Sequence, residues 1–160
     1  MSYPAEAGRV SATYHPAEDT RSVRLNSGTL ASFVAPGSAT EGEFGLFRWD
    51  MPAGSGGPAA HFHRTFSESF YVLAGTVRLF GGTDWVEATA GDFLYVPRGG
   101  VHAFRNDSAD PASMLILFAP GAPRERYFDE LAEIGAAGRT LSYDEWTELF
   151  ARHDQYRAEP

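Results

Sequence analysis

The chain of 160 residues contains no cysteine and no lysine. Without cysteine it has no disulfide framework, no thiolate nucleophile and no thiolate metal site. Any bound metal must therefore rest on imidazole and carboxylate side chains. All 13 positively charged side chains are arginines, so a catalytic lysine that forms a Schiff base is excluded as well.

The sequence also lacks basic runs and long apolar segments. With a formal net charge of -8, it would on average be repelled by a nucleic-acid backbone or an anionic lipid surface. The first residues, MSYPAEAGRVSATYHP, lack the apolar stretch of a signal peptide, and no run reaches the length of a transmembrane helix. We therefore expect a cytoplasmic protein that binds neither nucleic acid nor membrane.

Short strands dominate the pattern of the middle of the chain. Between residues 27 and 121, β-branched and aromatic runs are interrupted at close intervals by Gly, Pro, Asp and Asn, which is typical of a sandwich or barrel. GGTD (81–84) is predicted to be a hairpin loop. We predict an N-terminal arm or edge strand at 1–26 and an all-β, antiparallel barrel at 27–121.

After Pro120 the hydrophobic period lengthens toward 3.6, which predicts helices in a C-terminal segment, 122–160. A first helix is predicted over PRERYFDELAEIG, with an apolar stripe formed by Tyr127, Leu131 and Ile134. A second is predicted in 142–157, where Ser142 and Glu145 form a capping box. These helices are expected to cover a barrel face or a partner subunit, or to form a lid.

Two of the five histidines lie one residue apart, in AAHFHRTFSESF. Because alternate residues of a strand share a face, His61 and His63 point the same way. Glu68 lies an odd number of residues from His63, so the segment between them must turn or bulge to bring the carboxylate to the same centre. Two imidazoles and one carboxylate suit a divalent first-row metal with positions left open.

A third imidazole is available in GDFLYVPRGGVHAFRN (91–106). Pro97, Gly99 and Gly100 predict a tight turn, and the strand after it presents His102. If that strand pairs beside the first, His102 completes a site of three histidines and one glutamate. Asn106 is predicted to fix a turn rather than to touch a substrate.

These two elements resemble the two motifs of the cupin superfamily. The first runs His61, one residue, His63, four residues, Glu68, six residues and Gly75; the second runs Gly91, five residues, Pro97-Arg98-Gly99, two residues, His102, three residues and Asn106. The chain is similar to single-domain bacterial cupins related to quercetin 2,3-dioxygenases and polyketide-tailoring proteins.

The resemblance implies a jelly-roll β-barrel that holds one divalent ion per chain, such as Fe, Ni, Mn, Co or Zn. The implied metal ligands are His61, His63, Glu68 and His102. In the quercetinase-like pattern the glutamate, here Glu68, also acts as the general base for a substrate hydroxyl. Since the superfamily commonly dimerises, a homodimer is expected.

Large apolar side chains could line a pocket for an aromatic or polycyclic ligand, although for any one of them packing in the barrel core is the more common role. The candidates are Phe47, Trp49, Tyr71, Tyr95, Phe104, Met114 and Ile116. The resulting hypothesis is a metal-dependent dioxygenase that acts on an aromatic or enolic small molecule, such as a flavonol or a polyketide-like compound. The alternatives are a non-oxidative metal-dependent cyclase, isomerase or lyase, and a non-catalytic cupin that binds a small molecule.

Overall fold

A computed structural model describes residues 8–159 of the chain, which are mostly antiparallel β-structure followed by two helices. In chain order the elements are β1 (Ser22–Arg24), β2 (Leu30–Ala35), β3 (Gly45–Met51), β4 (His61–Phe62), β5 (Ser67–Ala74), β6 (Val77–Phe80), β7 (Trp85–Ala88), β8 (Phe93–Val96), β9 (Ala103–Arg105), β10 (Ala112–Ala119), α1 (Arg124–Ala136), α2 (Tyr143–Arg152) and β11 (Tyr156–Arg157). The predicted class, all-β with two C-terminal helices, is confirmed.

The strands form one large sheet and two small ones. The large sheet has the order β1-β2-β3-β10-β5-β8, and the small sheets have the orders β7-β6-β9 and β11-β4. An isolated antiparallel bridge between His61 and His102 joins the start of β4 to the residue before β9. The two small sheets therefore meet at these histidines and form a layer that packs against the large sheet, in the manner of a jelly roll.

The core lies between the layers because the strands alternate their side chains. In β3 the residues Phe47, Trp49 and Met51 are buried, whereas Arg48 points outward and pairs with Asp50. From the facing layer Phe104 meets Trp49 edge to face, with ring centroids 6.4 Å apart. The predicted hairpin loop at 81–84 connects β6 to β7 as expected.

The first helix closes one end of the sandwich. Its residue Phe128 contacts the rings of Trp49 and Phe47 at centroid distances of 4.7 and 5.2 Å, so α1 packs against residues of the inner sheet face. Tyr127 and Ile134 of the predicted stripe are buried. Neither helix in the described part of the chain has the length and apolar character needed to cross a membrane.

The second helix begins with the capping box that the sequence predicts. The backbone N–H of Glu145 donates to Ser142 Oγ at 3.2 Å, and the backbone N–H of Ser142 donates to Glu145 Oε2 at 2.7 Å. After α2 the chain returns to the sandwich, where β11 pairs with β4 in the register Tyr156 to Phe62 and Arg157 to His61.

The N-terminal part of the chain contributes β1, which pairs with β2 at the edge of the large sheet. Residues 1–7 of the predicted arm lie outside the described residues. The division of the chain into an arm (1–26), a barrel (27–121) and a helical segment (122–160) stays a prediction.

Gly75 is required for steric reasons, and this can be tested with an alanine variant. Its φ is +71°, and an added Cβ would lie 2.4 Å from the carbonyl oxygen of Pro111. We expect Gly75→Ala to lower the free energy of unfolding by about 1 kcal/mol more than an alanine at a positive φ with no close neighbour would. The extra loss arises because the backbone must move to relieve the overlap.

The matched control is Gly54→Ala, because Gly54 has a φ of +67° and no heavy atom within 4 Å of the added Cβ. This control should cost only the left-handed backbone penalty of about 1–2 kcal/mol. Urea unfolding of both variants measures the difference. Equal losses in the two variants would contradict the steric explanation.

Candidate metal centre

The predicted strand pairing brings His61 and His102 together. The backbone N–H of His61 donates to the carbonyl of His102 at 3.0 Å, and the backbone N–H of His102 donates to the carbonyl of His61 at 2.9 Å. The two residues are thus directly opposite one another in a hydrogen-bonded antiparallel pair. Their rings lie on the same side, with centroids 4.3 Å apart.

His63 and Glu68 join the same centre from the next turn of the chain. β4 ends at Phe62, residues 63–66 turn, and Glu68 is the second residue of β5. This is the turn that the odd spacing between His63 and Glu68 requires. Glu68 Oε2 lies 3.0 Å from His63 Nε2 and 2.8 Å from His102 Nε2.

The structure therefore brings all four predicted metal ligands into one buried cluster. One potential ligand atom from each side chain lies within 4.8 Å of the others. All four residues are at most 4% exposed. The members of this cluster, called the His₃Glu cluster below, are His61, His63, Glu68 and His102.

Backbone carbonyls orient each imidazole of the cluster. His61 Nδ1 lies 2.8 Å from the carbonyl oxygen of Ala59, His102 Nδ1 lies 3.0 Å from that of Gly100, and His63 Nδ1 lies 2.6 Å from that of Asp154. A carbonyl oxygen only accepts, so each Nδ1 carries the proton and each Nε2 is left with a lone pair. Such contacts fix the tautomer and ring orientation of metal-binding histidines.

The donor set fits a divalent transition-metal ion. The Nε2 lone pairs of His63 and His102 face the Oε2 atom of Glu68, and two acceptors at hydrogen-bond distance need a cation or a proton between them. Three imidazole nitrogens and one carboxylate oxygen match the ligand preference of Fe, Co, Ni, Mn and Zn. The geometry does not distinguish among these ions.

Burial and mutual contact set the charges within the cluster. Burial lowers the pKa of His61 to about 3, so this ring is neutral at physiological pH. Burial acts against the ionised form of Glu68, but the contacts with His102 and His63 outweigh it and hold the pKa of the carboxyl well below its usual range. Burial likewise opposes the charged form of His102, yet its contact with Glu68 raises its pKa.

A cavity of about 780 Å³ opens beside the cluster, and His61 and Glu68 form part of its wall. This volume is within the usual range for small-molecule sites. Its lining is mainly aromatic and aliphatic, and α1 and α2 supply much of it. The large apolar lining residues are Leu25, Trp49, Phe104, Ile116, Phe118, Tyr127, Phe128, Leu131, Ile134, Trp146 and Phe150.

The predicted pocket residues divide into three groups. Trp49, Phe104 and Ile116 line the cavity as expected. Phe47 and Met114 are fully buried in the core between the sheets.

Tyr71 was wrongly assigned to the pocket, and Tyr95 with it. Tyr71 is 44% exposed and Tyr95 is 58% exposed. Since Glu68 points inward from β5, the strand period of two turns Phe70 inward and Tyr71 outward. Tyr95 pairs with Ser69 across β5 and β8 and likewise points outward.

Asn106 is buried and holds a turn, as predicted. Its Nδ2 donates to the carbonyls of Pro52 at 3.0 Å and Asp110 at 2.9 Å, and its Oδ1 accepts from the backbone N–H of Ser108. It is not part of the cavity wall.

The sequence pattern did not indicate the polar residues that the C-terminal segment contributes to the site. Arg124 and Gln155 line the cavity and are buried. Asp154 supplies the carbonyl that orients His63. A signal for Arg124 was present, because it lies three residues before Tyr127 on the apolar stripe of α1, where a charged side chain is unexpected. Asp154 and Gln155 follow α2 with no comparable pattern.

Comparison with known proteins supports the resemblance drawn from the two motifs. Residues 47–118 match the family model described as Cupin domain. The matched range contains both motifs and all four members of the His₃Glu cluster.

Quercetin 2,3-dioxygenase from Bacillus subtilis (strain 168) is 32% identical over 97 residues, which is 61% of this chain. The match covers only 28% of that protein, so the chain spans less than a third of this relative.

Solved structures share the fold at lower identity. KdgF from Halomonas sp. superimposes with a TM-score of 0.60 and 15% identity, over 69% of this chain and 94% of that one. The polyketide cyclase RemF from Streptomyces resistomycificus superimposes with a TM-score of 0.58 and 17% identity, over 68% of this chain and 80% of that one. At these identities the likeness is one of fold.

The role of Asp154 in orienting His63 predicts an effect on metal affinity. The Asp154 carboxylate accepts hydrogen bonds from the backbone N–H groups of Arg64 and Thr65, which fixes the position of its own carbonyl beside the His63 ring. Its φ is +53°, a conformation that Asp and Asn tolerate better than Ala. We expect Asp154→Ala to weaken divalent-metal affinity about 10–100-fold in a chelator competition assay.

The matched control is Asp154→Asn, which keeps an acceptor oxygen and tolerates the left-handed backbone. It should retain most of the affinity. If Asp154→Ala bound metal as tightly as the wild type, the Asp154 carboxylate would not be needed to hold the carbonyl beside His63.

Proposed function

Since residues 47–118 form a cupin domain whose His₃Glu cluster fits a divalent ion, we propose that the protein is a mononuclear metal-dependent enzyme. We further propose that it is a dioxygenase acting on an aromatic or enolic small molecule. The observation that carries the proposal is the position of the cluster, since His61 and Glu68 lie in the wall of a largely apolar cavity. A purely structural metal site would be closed rather than open to a cavity.

The residues of the cluster would hold one ion of the Fe, Ni, Mn, Co or Zn type. When bound, such an ion supplies a Lewis acid that polarises an enol or phenol oxygen and lowers its pKa. Three neutral imidazoles and one carboxylate would give a bound divalent ion a net charge near +1 and would leave room for a further ligand. A substrate oxygen can therefore approach from the cavity side.

Glu68 is suited to accept a proton from the substrate hydroxyl. It is the only carboxylate among the described residues that line the cavity. Its contacts with His63 and His102 both use Oε2. A carboxylate positioned between a metal centre and a substrate pocket can act as a general base at that hydroxyl.

Aromatic side chains in the cavity wall reduce the access of water to the site. Trp49 and Phe104 approach from the sandwich, and Phe128 approaches from α1. Planar aromatic side chains around a cavity of about 780 Å³ favour a planar ligand of more than one ring. Excluding water would protect a reactive intermediate from side reactions.

The similarity to a quercetin 2,3-dioxygenase supports the oxidative reading over the others. The second candidate is a metal-dependent enzyme that does not oxidise its substrate, such as a cyclase, isomerase or lyase that stabilises an enolate. The likeness of fold to the polyketide cyclase RemF supports this candidate. A non-catalytic cupin that binds a small molecule is the third.

The experiment that separates these candidates is elemental analysis of protein purified without added metal, together with turnover in air and under argon. The assay substrates are a flavonol and a phenolic polyketide. We expect about one Fe, Ni, Mn or Co ion per chain and O₂ uptake that depends on substrate. If the protein contains zinc and its turnover is unchanged under argon, the result would contradict the dioxygenase proposal and support an enzyme that uses the metal as a Lewis acid. If the protein contains no metal, the result would favour a binding protein.

A single histidine variant tests the ligand assignment. We expect His63→Ala to lose most bound metal and activity while the sandwich stays folded, because the cluster sits on an otherwise packed core. Metal content and circular dichroism measure the two effects. His15→Ala is the control, since His15 is exposed and lies outside the cluster. Stoichiometric metal in His63→Ala would show that the assignment is wrong.

A further inference from the structure

A buried arginine from outside the cupin motifs forms part of the cavity wall. Arg124, the first residue of α1, is only 4% exposed. An ion pair requires a carboxylate oxygen within 4.0 Å of a guanidinium nitrogen. Within residues 8–159 no carboxylate lies that close to the guanidinium of Arg124. Glu68 and Asp154 favour its charge only from a greater distance. A buried charge without a contacting counter-ion is costly, so its presence calls for an explanation.

The guanidinium of Arg124 uses only part of its hydrogen-bonding capacity. Nη1 donates to the carbonyl of His153 at 2.8 Å, and Nη2 donates to Gln155 Oε1 at 3.2 Å. The Nε–H group is buried and has no partner. A guanidinium has five N–H donors, so besides the buried Nε–H one N–H group remains on each of Nη1 and Nη2, which is enough for a bidentate contact with a carboxylate.

Aromatic rings hold this guanidinium in place and connect it to the His₃Glu cluster. Its carbon lies 4.3 Å from the ring centroid of Tyr127 and 5.4 Å from that of Phe66. Phe66 in turn stacks on the ring of His63, with centroids 4.4 Å apart and planes at 27°. Arg124 is therefore separated from the cluster by a single aromatic ring, and both face the same cavity.

The cavity as a whole is positively charged, in contrast to the protein. Its lining contains Arg124 together with Arg157, which is half-buried, and Arg139, which is exposed at the open end. The one carboxylate among the described lining residues is Glu68, which belongs to the cluster. The chain has a net charge of -8, so this concentration of arginines creates a local field that attracts anions.

We propose that Arg124 binds an anionic group of the substrate, and that the substrate is an aromatic or enolic carboxylic acid rather than a neutral flavonol. The carboxylate pairs with the free N–H groups of Arg124, while the hydroxyl or enol end of the molecule points toward the His₃Glu cluster. Arg139 and Arg157 guide the anion inward from the open end. This inference rests on the proposed function, because it identifies the substrate class of that same site.

The test compares two ligands of nearly the same shape, the anion 2-naphthoate and the neutral 2-naphthamide. Their dissociation constants are measured by calorimetry with the full chain, both as purified and after treatment with a chelator. We expect the acid to bind at least about tenfold tighter than the amide, since hydrogen bonds to charged groups contribute more than neutral ones. Arg124→Gln should bring the ratio of the two constants to about one.

The matched control is Arg126→Gln, because Arg126 lies on the same helix, is exposed and carries the same charge. It should leave the ratio unchanged. If Arg124 only holds His153 and Gln155 in place, Arg124→Gln would weaken the binding of both ligands equally. The ratio of the two dissociation constants would then stay the same. If Arg124→Gln does not fold, Arg124→Lys retains the charge and should retain a preference for the acid.

Several results would overturn the proposal. These are equal binding of acid and amide to the wild type, no binding of either ligand, or an unchanged ratio in Arg124→Gln. A preference that disappears on chelation but persists in Arg124→Gln would assign the carboxylate to the metal instead. The ratio is measured independently of turnover, so failure of the dioxygenase proposal, seen in metal content and O₂ uptake, remains a separate outcome.

Discussion

The desolvation of four polar side chains is the constraint on which the site depends. A carboxylate and three imidazoles lie inside an apolar sandwich, where each would be costly without partners. Backbone carbonyls satisfy one nitrogen of each ring, and this leaves the other nitrogens converging on Glu68. The cluster is thus prearranged by contacts that involve no metal. Its geometry follows from the strand pairing of His61 with His102 and from the turn between His63 and Glu68.

Local periodicity was sufficient to predict most of this cluster. The same-face rule placed His61 beside His63, and the odd spacing to Glu68 required a turn that the structure contains. The capping box of α2 was equally readable, because it depends on two residues three apart. Strand and helix patterns of this kind depend on residues close together in the sequence, so they can be predicted without knowledge of the tertiary structure.

The errors arose where residue type was used in place of position. Tyr71 was placed in the pocket because it is aromatic, although its register with Glu68 on β5 turns it outward. Arg124 was overlooked because charged residues usually face solvent, although it lies on the apolar stripe of α1. The contact between Asp154 and His63 spans 91 residues and joins two distant parts of the chain. Such long-range contacts leave no periodic signal in a single sequence.

The cavity is built from two parts of the chain. The His₃Glu cluster lies within the matched cupin range, 47–118, whereas Arg124 on α1, Arg139 between α1 and α2, and Arg157 on β11 lie beyond it. The predicted metal ligands and the proposed anion-binding arginine therefore lie in separate stretches of sequence. Divergence after residue 118 can change which molecule is accepted while the cluster stays intact, so two proteins that share both motifs need not share a substrate. The pairing of β11 with β4 limits this freedom, and so does the carbonyl of Asp154, since it must stay beside His63.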